Sequence, residues 1–566
     1  MLGKDLTKKI STILLKACKS YFKKNLPEVM FPENIDPGLQ ITRDQAHGDL
    51  SSNIAMCLAS SARKSPLNLG TGIVSVLEEL VAVSELKPLI SGIELKGGFI
   101  NFSLSEIYYH TLLFDAFSQK EKFGRSDDGQ GEHINLEFVS ANPTGPLTVA
   151  HGRQAAIGDA LSRILRFSGY TVTNEYYLND IGRQIRLLGE SVRIRYRNLF
   201  DLNDPMPEDG YMGEYIVDIA EEIKKQKGES LLAQETLKPG SGFFQQYAID
   251  YMMKDIKKDL ADFGVNFDVW TSQGRLEKRR EVEKVLGVLE KKGWLYDCDG
   301  AKWFASTRLG DDKDRVVIKS DGSYTYLAPD IAYHFDKYRR KYTKLIDLLG
   351  PDHHGYIKRM KAAVKALGHE AGSLNILIVQ LVSLLRNGRT LSMSTRRGEF
   401  ISLREIMDEL GKDVTRFFFL SRRLDSHLDF DIELAKKESS DNPVFYIQYA
   451  HARICSIKKY SGKDFNRLFS GKARLNLLSS RQEKQLMRKL SEFPIMVKAS
   501  ADALEPNRII VYLNELARSF HSFYTECRVV SEDQVLSEAR LFLVECVRIV
   551  LANGLGLLNI TFPEKM

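Results

Sequence analysis

No two of the six cysteines (Cys18, Cys57, Cys298, Cys455, Cys527, Cys546) stand in a Cys-x-x-Cys pair, and no cysteine–histidine cluster accompanies them. That argues against the usual zinc frameworks and a disulfide scaffold, and predicts reduced thiols in a cytoplasmic protein without zinc. Long apolar runs are equally scarce. The longest, Leu374 to Leu385, is interrupted by Asn375, Gln380 and Ser383; it is too short to cross a bilayer and reads as a buried strand with its flanks, so no membrane partner is expected. Lys4, Lys8 and Lys9 lead into amphipathic rather than solidly apolar sequence, which gives no secretory signal. Internal repeats and low-complexity tracts are absent too.

What is present is length. A chain of 566 residues exceeds what one hydrophobic core supports, and about three domains is the expectation. The net charge of +6 is small, but it is unevenly placed: residues 441–566 hold 18 Lys/Arg against 13 Asp/Glu, and residues 451–490 hold 11 against 2. Arg453, Lys458, Lys459, Arg467, Arg474 and Lys489 form either a solvated helix face or a surface that tracks phosphates.

Residues 1–125 read as a small α+β unit, with amphipathic stretches (Leu6, Ile10, Ile13, Leu14; Ile54, Met56, Leu58) ahead of a strand-like segment at 98–103. Lys120–Gly131 is polar and glycine-containing, as a linker would be. Then Leu136–Val139 reads as a strand, Asn142–Pro146 as a loop, and Ala156, Ile157, Ala160, Leu161, Ile164 and Leu165 as a helix stripe. Gly169 closes that helix before a strand opening at Tyr170, which completes a βαβ unit. Leu345–Leu349, Gly350–Gly355, the stripe Ile357, Met360, Val364, Leu367 and the strand Ile376–Val379 repeat the pattern. Two such units predict an open, Rossmann-type parallel sheet over residues 126–435, with an insertion at about 185–275 and ligands beyond the carboxyl ends of the strands. From about 436 the pattern is wholly helical to 566, giving a multidomain α/β protein with an all-α end.

At the first strand–helix turn, Leu147-Thr-Val-Ala-His151-Gly152-Arg153 opens a helix. Free amides and the helix dipole there suit phosphate. Thr148 and His151 are three apart and can point donors into one place, and Gly152 would allow close approach; a capped structural turn is the alternative. The stretch Ser140–Ala160 as a whole resembles the HIGH-motif region of arginyl-tRNA synthetases, with Thr148 in place of the first histidine and Ala150 in place of the glycine. Leu391-Ser-Met-Ser-Thr-Arg-Arg-Gly398 is similar to the KMSK loop in its KMSTR form, with Ser392 in place of the first lysine. Ala46–Asp49 with Asn53, Glu175–Gln184, Gly310–Arg315, Tyr324–Tyr333, Asp441–Arg453 and Phe562–Met566 match patterns of the same family, in order, along nearly the whole chain.

The resemblance implies an enzyme that activates L-arginine with ATP and transfers it to the 3′ end of tRNA(Arg), with Mg²⁺ carried by the ATP and the protein acting as a monomer. It implies an N-terminal tRNA-elbow domain at 1–125, contacting a D-loop base through Phe99 and Asn101, and an anticodon-binding bundle at 436–566, where Tyr446, Tyr449 and Arg453 contact tRNA. Thr148, His151, Gly152, Met393 and Ser394 would meet ATP, and Arg396 and Arg397 would supply the charge a triphosphate loop needs, with Arg386 and Arg389 as helpers. Arginine would be read by Asp330, since a carboxylate accepts a guanidinium bidentately, together with Tyr326 one turn earlier, Glu137, Ser140, Asn142 and His353. Two rivals are a cysteinyl- or glutamyl-type class I enzyme, disfavoured by the absent Cys/His zinc set, and a tRNA-binding paralogue that has lost catalysis, suggested by Thr148, Ala150 and Ser392.

Overall fold

The computed structural model describes residues 6–42, 44–232, 242–391, 400–439, 441–463 and 473–566. The N-terminal unit is α1 (Leu6–Asn25), β1 (Leu39–Ile41), β2 (Leu50–Ser52), α2 (Ile54–Ala62), α3 (Pro66–Ala82), β3 (Ile90–Lys96), β4 (Phe99–Leu104) and α4 (Glu106–Gln119). Its antiparallel sheet has the order β1-β2-β4-β3.

The catalytic unit follows. It begins with β5 (His133–Glu137), α5 (Val149–Phe167), β6 (Thr171–Leu178), α6 (Arg183–Asn198), α7 (Glu214–Lys227), α8 (Gly242–Asp262) and β7 (Val269–Ser272). Next come α9 (Gln273–Lys278), α10 (Glu281–Lys291), β8 (Leu295–Cys298), β9 (Ala301–Phe304), β10 (Arg315–Ile318), α11 (Leu327–Arg339), β11 (Lys344–Leu349), α12 (Tyr356–Leu367) and β12 (Leu374–Ile378). Strands β5, β6, β7, β11 and β12 form a parallel sheet ordered β12-β11-β5-β6-β7. Its inner strands are buried along much of their length, polar residues such as Asn135 and Glu175 included. Chain order reverses between β5 and β11, the point at which such sheets open a crevice.

Three expectations change here. The insertion drawn over 185–275 is shorter, because Val269–Ser272 pairs with β6 and is the sheet's edge strand; helices α6 to α8 bury their own apolar faces in a separate core around Leu188, Ile219 and Phe244. The apolar run 374–385 is two strands, β12 and β13 (Val382–Arg386), broken at 379–381. The strand expected at 136–139 ends at Glu137, and the chain turns through left-handed backbone at Val139 (φ 67°) and Ser140 (φ 39°).

After β13 come β14 (Arg389–Thr390), α13 (Leu403–Leu410), α14 (Lys412–Leu420), β15 (Leu428–Asp431) and α15 (Ile432–Ala435). The helical unit is α16 (Pro443–Ser461), α17 (Arg481–Ser491), α18 (Phe493–Ala503), α19 (Asn507–Glu526) and α20 (Gln534–Leu557). One continuous core runs from Leu6 to Ile560 through the N-terminal, catalytic and helical units. Phe114 and Phe117 of α4 pack on Phe542 of α20 at 5.1 and 5.0 Å, and Arg488 of α17 pairs with Asp49 at 3.1 Å. The motif Ala46–Asp49 thus ties the two ends of the chain together. No described helix is long and apolar enough to cross a membrane.

Candidate active site

A cavity of about 540 Å³ opens at the switch point, beyond the carboxyl ends of β5 and β11. Its floor is ionic. Asp347, Glu137 and Glu175 are Cα partners across β11, β5 and β6, and all three are buried. Lys337 of α11 lies 2.6 Å from Glu137 Oε2 and 2.8 Å from Asp347 Oδ1. Arg340, just past that helix, donates two hydrogen bonds to Glu175 at 2.8 and 2.9 Å. Burial alone would raise the Glu175 carboxyl, but Arg340 holds it below the usual range. Burial likewise opposes ionisation of Asp347, and Lys337 and His334 overcome it.

Asp330 sits in the first turn of α11 and lines the same cavity. Among the described residues it has no ion pair. Burial pushes its carboxyl up to about 6, against the opposing pull of His334 and of a hydrogen bond from Tyr356. Ser140 donates to Glu137 at 2.9 Å and accepts from the Tyr177 amide at 3.0 Å, so its left-handed turn serves to aim Glu137. Asn142 is on the wall, donating to Gln184 at 2.7 Å, and His353 is on the rim, half-exposed beside Asp352. Tyr326 is 94% exposed and does not line the cavity, although it lies one turn from Asp330; packing on a bound substrate would need it to move.

The other end of the cavity is neutral. Thr148 is the N-cap of α5, and its amide donates to His151 Nδ1 at 3.1 Å, with its hydroxyl 3.2 Å from the same nitrogen. Because Nδ1 accepts, the ring proton is on Nε2, and burial pushes the His151 pKa down to about 4. His151 is therefore a neutral donor, not the charged group that a phosphate site at first suggests. The Thr148 hydroxyl is committed to His151 rather than lining the cavity. Gly152 is likewise corrected: a Cβ there would lie 2.7 Å from Leu403 and 2.9 Å from Phe419, so the glycine lets α5 pack on α13 and α14 and does not itself line the cavity. Arg153 anchors the helix, donating to the carbonyls of Gln380 and Arg423 at 2.8 and 2.9 Å. Leu403 N–H bonds Leu147 O at 2.7 Å and Thr148 bridges Ser402, which joins the first signature loop to the segment following the second. Met393, Ser394, Arg396 and Arg397, with Ser392, lie outside the described residues. Arg386 is taken by Glu409 through two bonds of 2.9 and 2.6 Å.

Away from the cavity, Phe99 is half-buried, whereas Asn101 is 4% exposed and its amide nitrogen has no partner among the described residues. On α16, the Arg453 guanidinium stacks between Tyr449 and Tyr524, 4.6 Å from each ring, and Tyr446 packs on His521 at 4.6 Å. Lys337, His334, Asp347 and Glu175 escaped the reading of the sequence, although one signal was available: Asp347 interrupts the apolar strand Leu345–Leu349.

Three family models match: "Arginyl tRNA synthetase N terminal domain" over residues 6–104, "tRNA synthetases class I (R), catalytic domain" over 113–418, and "DALR anticodon binding domain" over 447–566. The arginine–tRNA ligase of Syntrophotalea carbinolica is 45% identical over 535 residues, 93% of this chain and 94% of that one. The enzyme of Desulforamulus reducens is 43% identical over 548 residues, 96% and 95% of the two chains. A putative arginyl-tRNA synthetase structure from Campylobacter jejuni is 36% identical with a TM-score of 0.75, covering 82% of this chain and 100% of that one. The Thermus thermophilus arginyl-tRNA synthetase shares the fold, with a TM-score of 0.78 at 21% identity over 99% and 100% of the chains. The carboxylate-lined crevice at the switch point, the three family models in order and the full-length relatives lead to one conclusion: this chain belongs to the arginyl-tRNA synthetase family of class I ligases and attaches arginine to tRNA at the expense of ATP.

Proposed function

We propose that the substrate guanidinium docks on Asp330 and that ATP lies toward His151, so that one cavity holds the two reactants end to end. The observation that carries this reading is the Asp330 carboxylate, which has no ion pair among the described residues, while the buried Glu137 and Asp347 of the same cavity share Lys337. A guanidinium supplies the missing charge and a fork of donors. Ser140 aims Glu137, and Asn142 and His353 complete the contacts to the amino acid.

The arginine carboxylate attacks the α-phosphate in line, and pyrophosphate leaves. A ribose hydroxyl at the tRNA 3′ end then attacks the arginyl carbonyl and AMP leaves. The substrates supply the nucleophiles, so the chain's work is positioning and charge stabilisation. His151 donates its Nε2 proton to a phosphate oxygen, and Thr148 acts through His151 by holding its tautomer. Met393 and Ser394 contact ATP, and Arg396 and Arg397 neutralise pyrophosphate. Mg²⁺ travels with the triphosphate, which needs no protein ligand set; among the described residues no group of three His, Cys, Asp or Glu could hold a metal, and we assign the chain no zinc.

We further propose domains at 1–125, 126–435 and 436–566 in a cytoplasmic monomer. tRNA(Arg) would meet Phe99 and Asn101 at one end, and Tyr446, Tyr449 and Arg453 at the other, where the aromatic–guanidinium stack suits unpaired bases. Aminoacylation of total tRNA with each amino acid in turn tests the substrate assignment: arginine alone should be transferred. Arginine-dependent ATP–pyrophosphate exchange should require tRNA, and robust exchange without it would overturn the expected coupling.

A further inference from the structure

Buried acids at one height on three neighbouring strands repel one another, and they stay ionised only if cations stand between them. Here those cations come from one helix and the residue just past its end. Lys337 has no exposed side-chain surface and bridges Glu137 and Asp347 at 2.6 and 2.8 Å, with its ammonium 4.4 Å from the Tyr333 ring. Arg340 takes Glu175. His334 places Nε2 2.8 Å from Asp347 Oδ2 and Nδ1 2.8 Å from the Asp330 carbonyl, so both ring nitrogens face oxygens. Lys337 thus serves two of the carboxylates and Arg340 a third. Asp330, on the same helix, is the carboxylate left without an ion pair among the described residues.

The gap between Glu137 and Asp347 is a stronger cation trap than Asp330, because it offers two carboxylates and lies deeper. We infer that Lys337 is a specificity-determining positioning residue: its ammonium permanently fills the deep trap, so that an incoming guanidinium stops at Asp330 with its own carboxylate still within reach of ATP. The inference rests on the proposed docking at Asp330. Without Lys337 the trap would draw the guanidinium inward and pull the arginine carboxylate away from the α-phosphate. Arginine would then bind well and react poorly, the opposite of simple damage to the pocket, which weakens binding first.

Lys337→Met removes the charge and keeps most of the side-chain volume. In arginine-dependent ATP–pyrophosphate exchange with tRNA present, we expect its kcat to fall at least tenfold, while the arginine Kd from equilibrium dialysis stays as tight as wild type or tighter. Adding Asp347→Asn removes one arm of the trap and restores the wild-type charge balance, and should bring kcat back to within about threefold. A single variant with kcat within twofold of wild type would overturn the inference, and so would a Kd and kcat that worsen together and are not recovered by Asp347→Asn. Should Lys337→Met fail to fold, the double variant decides alone: kcat within threefold supports the charge balance, and a loss above tenfold contradicts it. Asp330→Asn in the Lys337 enzyme keeps the two ideas separate, because an unchanged arginine Kd there means that the docking itself is misplaced.

Discussion

The two ends of the cavity solve opposite problems. The end proposed for arginine holds charges on strands and one helix, with Lys337 between Glu137 and Asp347 and no ion pair at Asp330 among the described residues. The end proposed for ATP, as far as it is described, has a neutral histidine at a helix N-terminus, its tautomer fixed by its own N-cap. Selectivity for a cation calls for a charge deficit that only the right side chain fills. Stabilising a phosphate as it rearranges calls for a donor that is already aimed and does not change protonation during the reaction.

Breaking the arginine end should have the largest effect. Asp330→Asn should lower kcat/KM for arginine by about 10²–10³-fold or more, the usual cost of removing one partner of a buried, hydrogen-bonded charge pair, with the ATP KM unchanged. The same variant should melt at a higher temperature at neutral pH. Its carboxyl has a folded pKa of about 6, above its ordinary value, so keeping it ionised costs folding free energy above that pH, and Asn removes the cost. A lower Tm would show that Asp330 is a structural partner. The phosphate end should lose less: His151→Ala should reduce kcat by about 10²-fold, in the range of lost preorganised donors, leaving the arginine KM within about threefold.

The pH profile sharpens the contrast. A cation binds the ionised form of Asp330, so kcat/KM for arginine should fall by about tenfold per unit below pH 6, and this limb should vanish in Asp330→Asn. His151, held near 4, should add no inflection between pH 5 and 8. At the N-terminal unit, Phe99→Ala should raise the tRNA KM by about tenfold through lost stacking, a loss of about 1–3 kcal/mol, with no change for ATP or arginine. Thr148→Ala should be the mildest, a kcat loss of about two- to tenfold, since it removes one hydrogen bond to His151 worth about 0.5–1.5 kcal/mol while the backbone donor stays.

Legibility followed the same divide. Asp330, Glu137, Ser140, Asn142 and His353, which line one crevice with His151, came from the family resemblance, whereas periodicity exposed the βαβ units, their switch point and the helix start that carries His151. It missed β7, a four-residue edge strand beside three helices, because so short a run carries no clear period of two. Thr148 and Gly152 make contacts within the fold that the sequence did not show, for a shared reason. A hydroxyl at an N-cap and a glycine in a first helical turn look alike whether they face a ligand or their own fold, and only Leu403 and Phe419, some 250 residues away in sequence, reveal which way Gly152 faces. The Lys337 ladder was hidden because register across strands is a tertiary fact, although Asp347 breaking the apolar run of β11 was there to be noticed.

Equilibrium binding of labelled arginine to the tRNA-bound enzyme tests the division most directly. His151→Ala should bind arginine as wild type does, and Asp330→Asn should lose binding by at least 100-fold. If the two variants lose arginine binding alike, or if Asp330→Asn retains it, the cavity is not divided into an arginine end and a phosphate end.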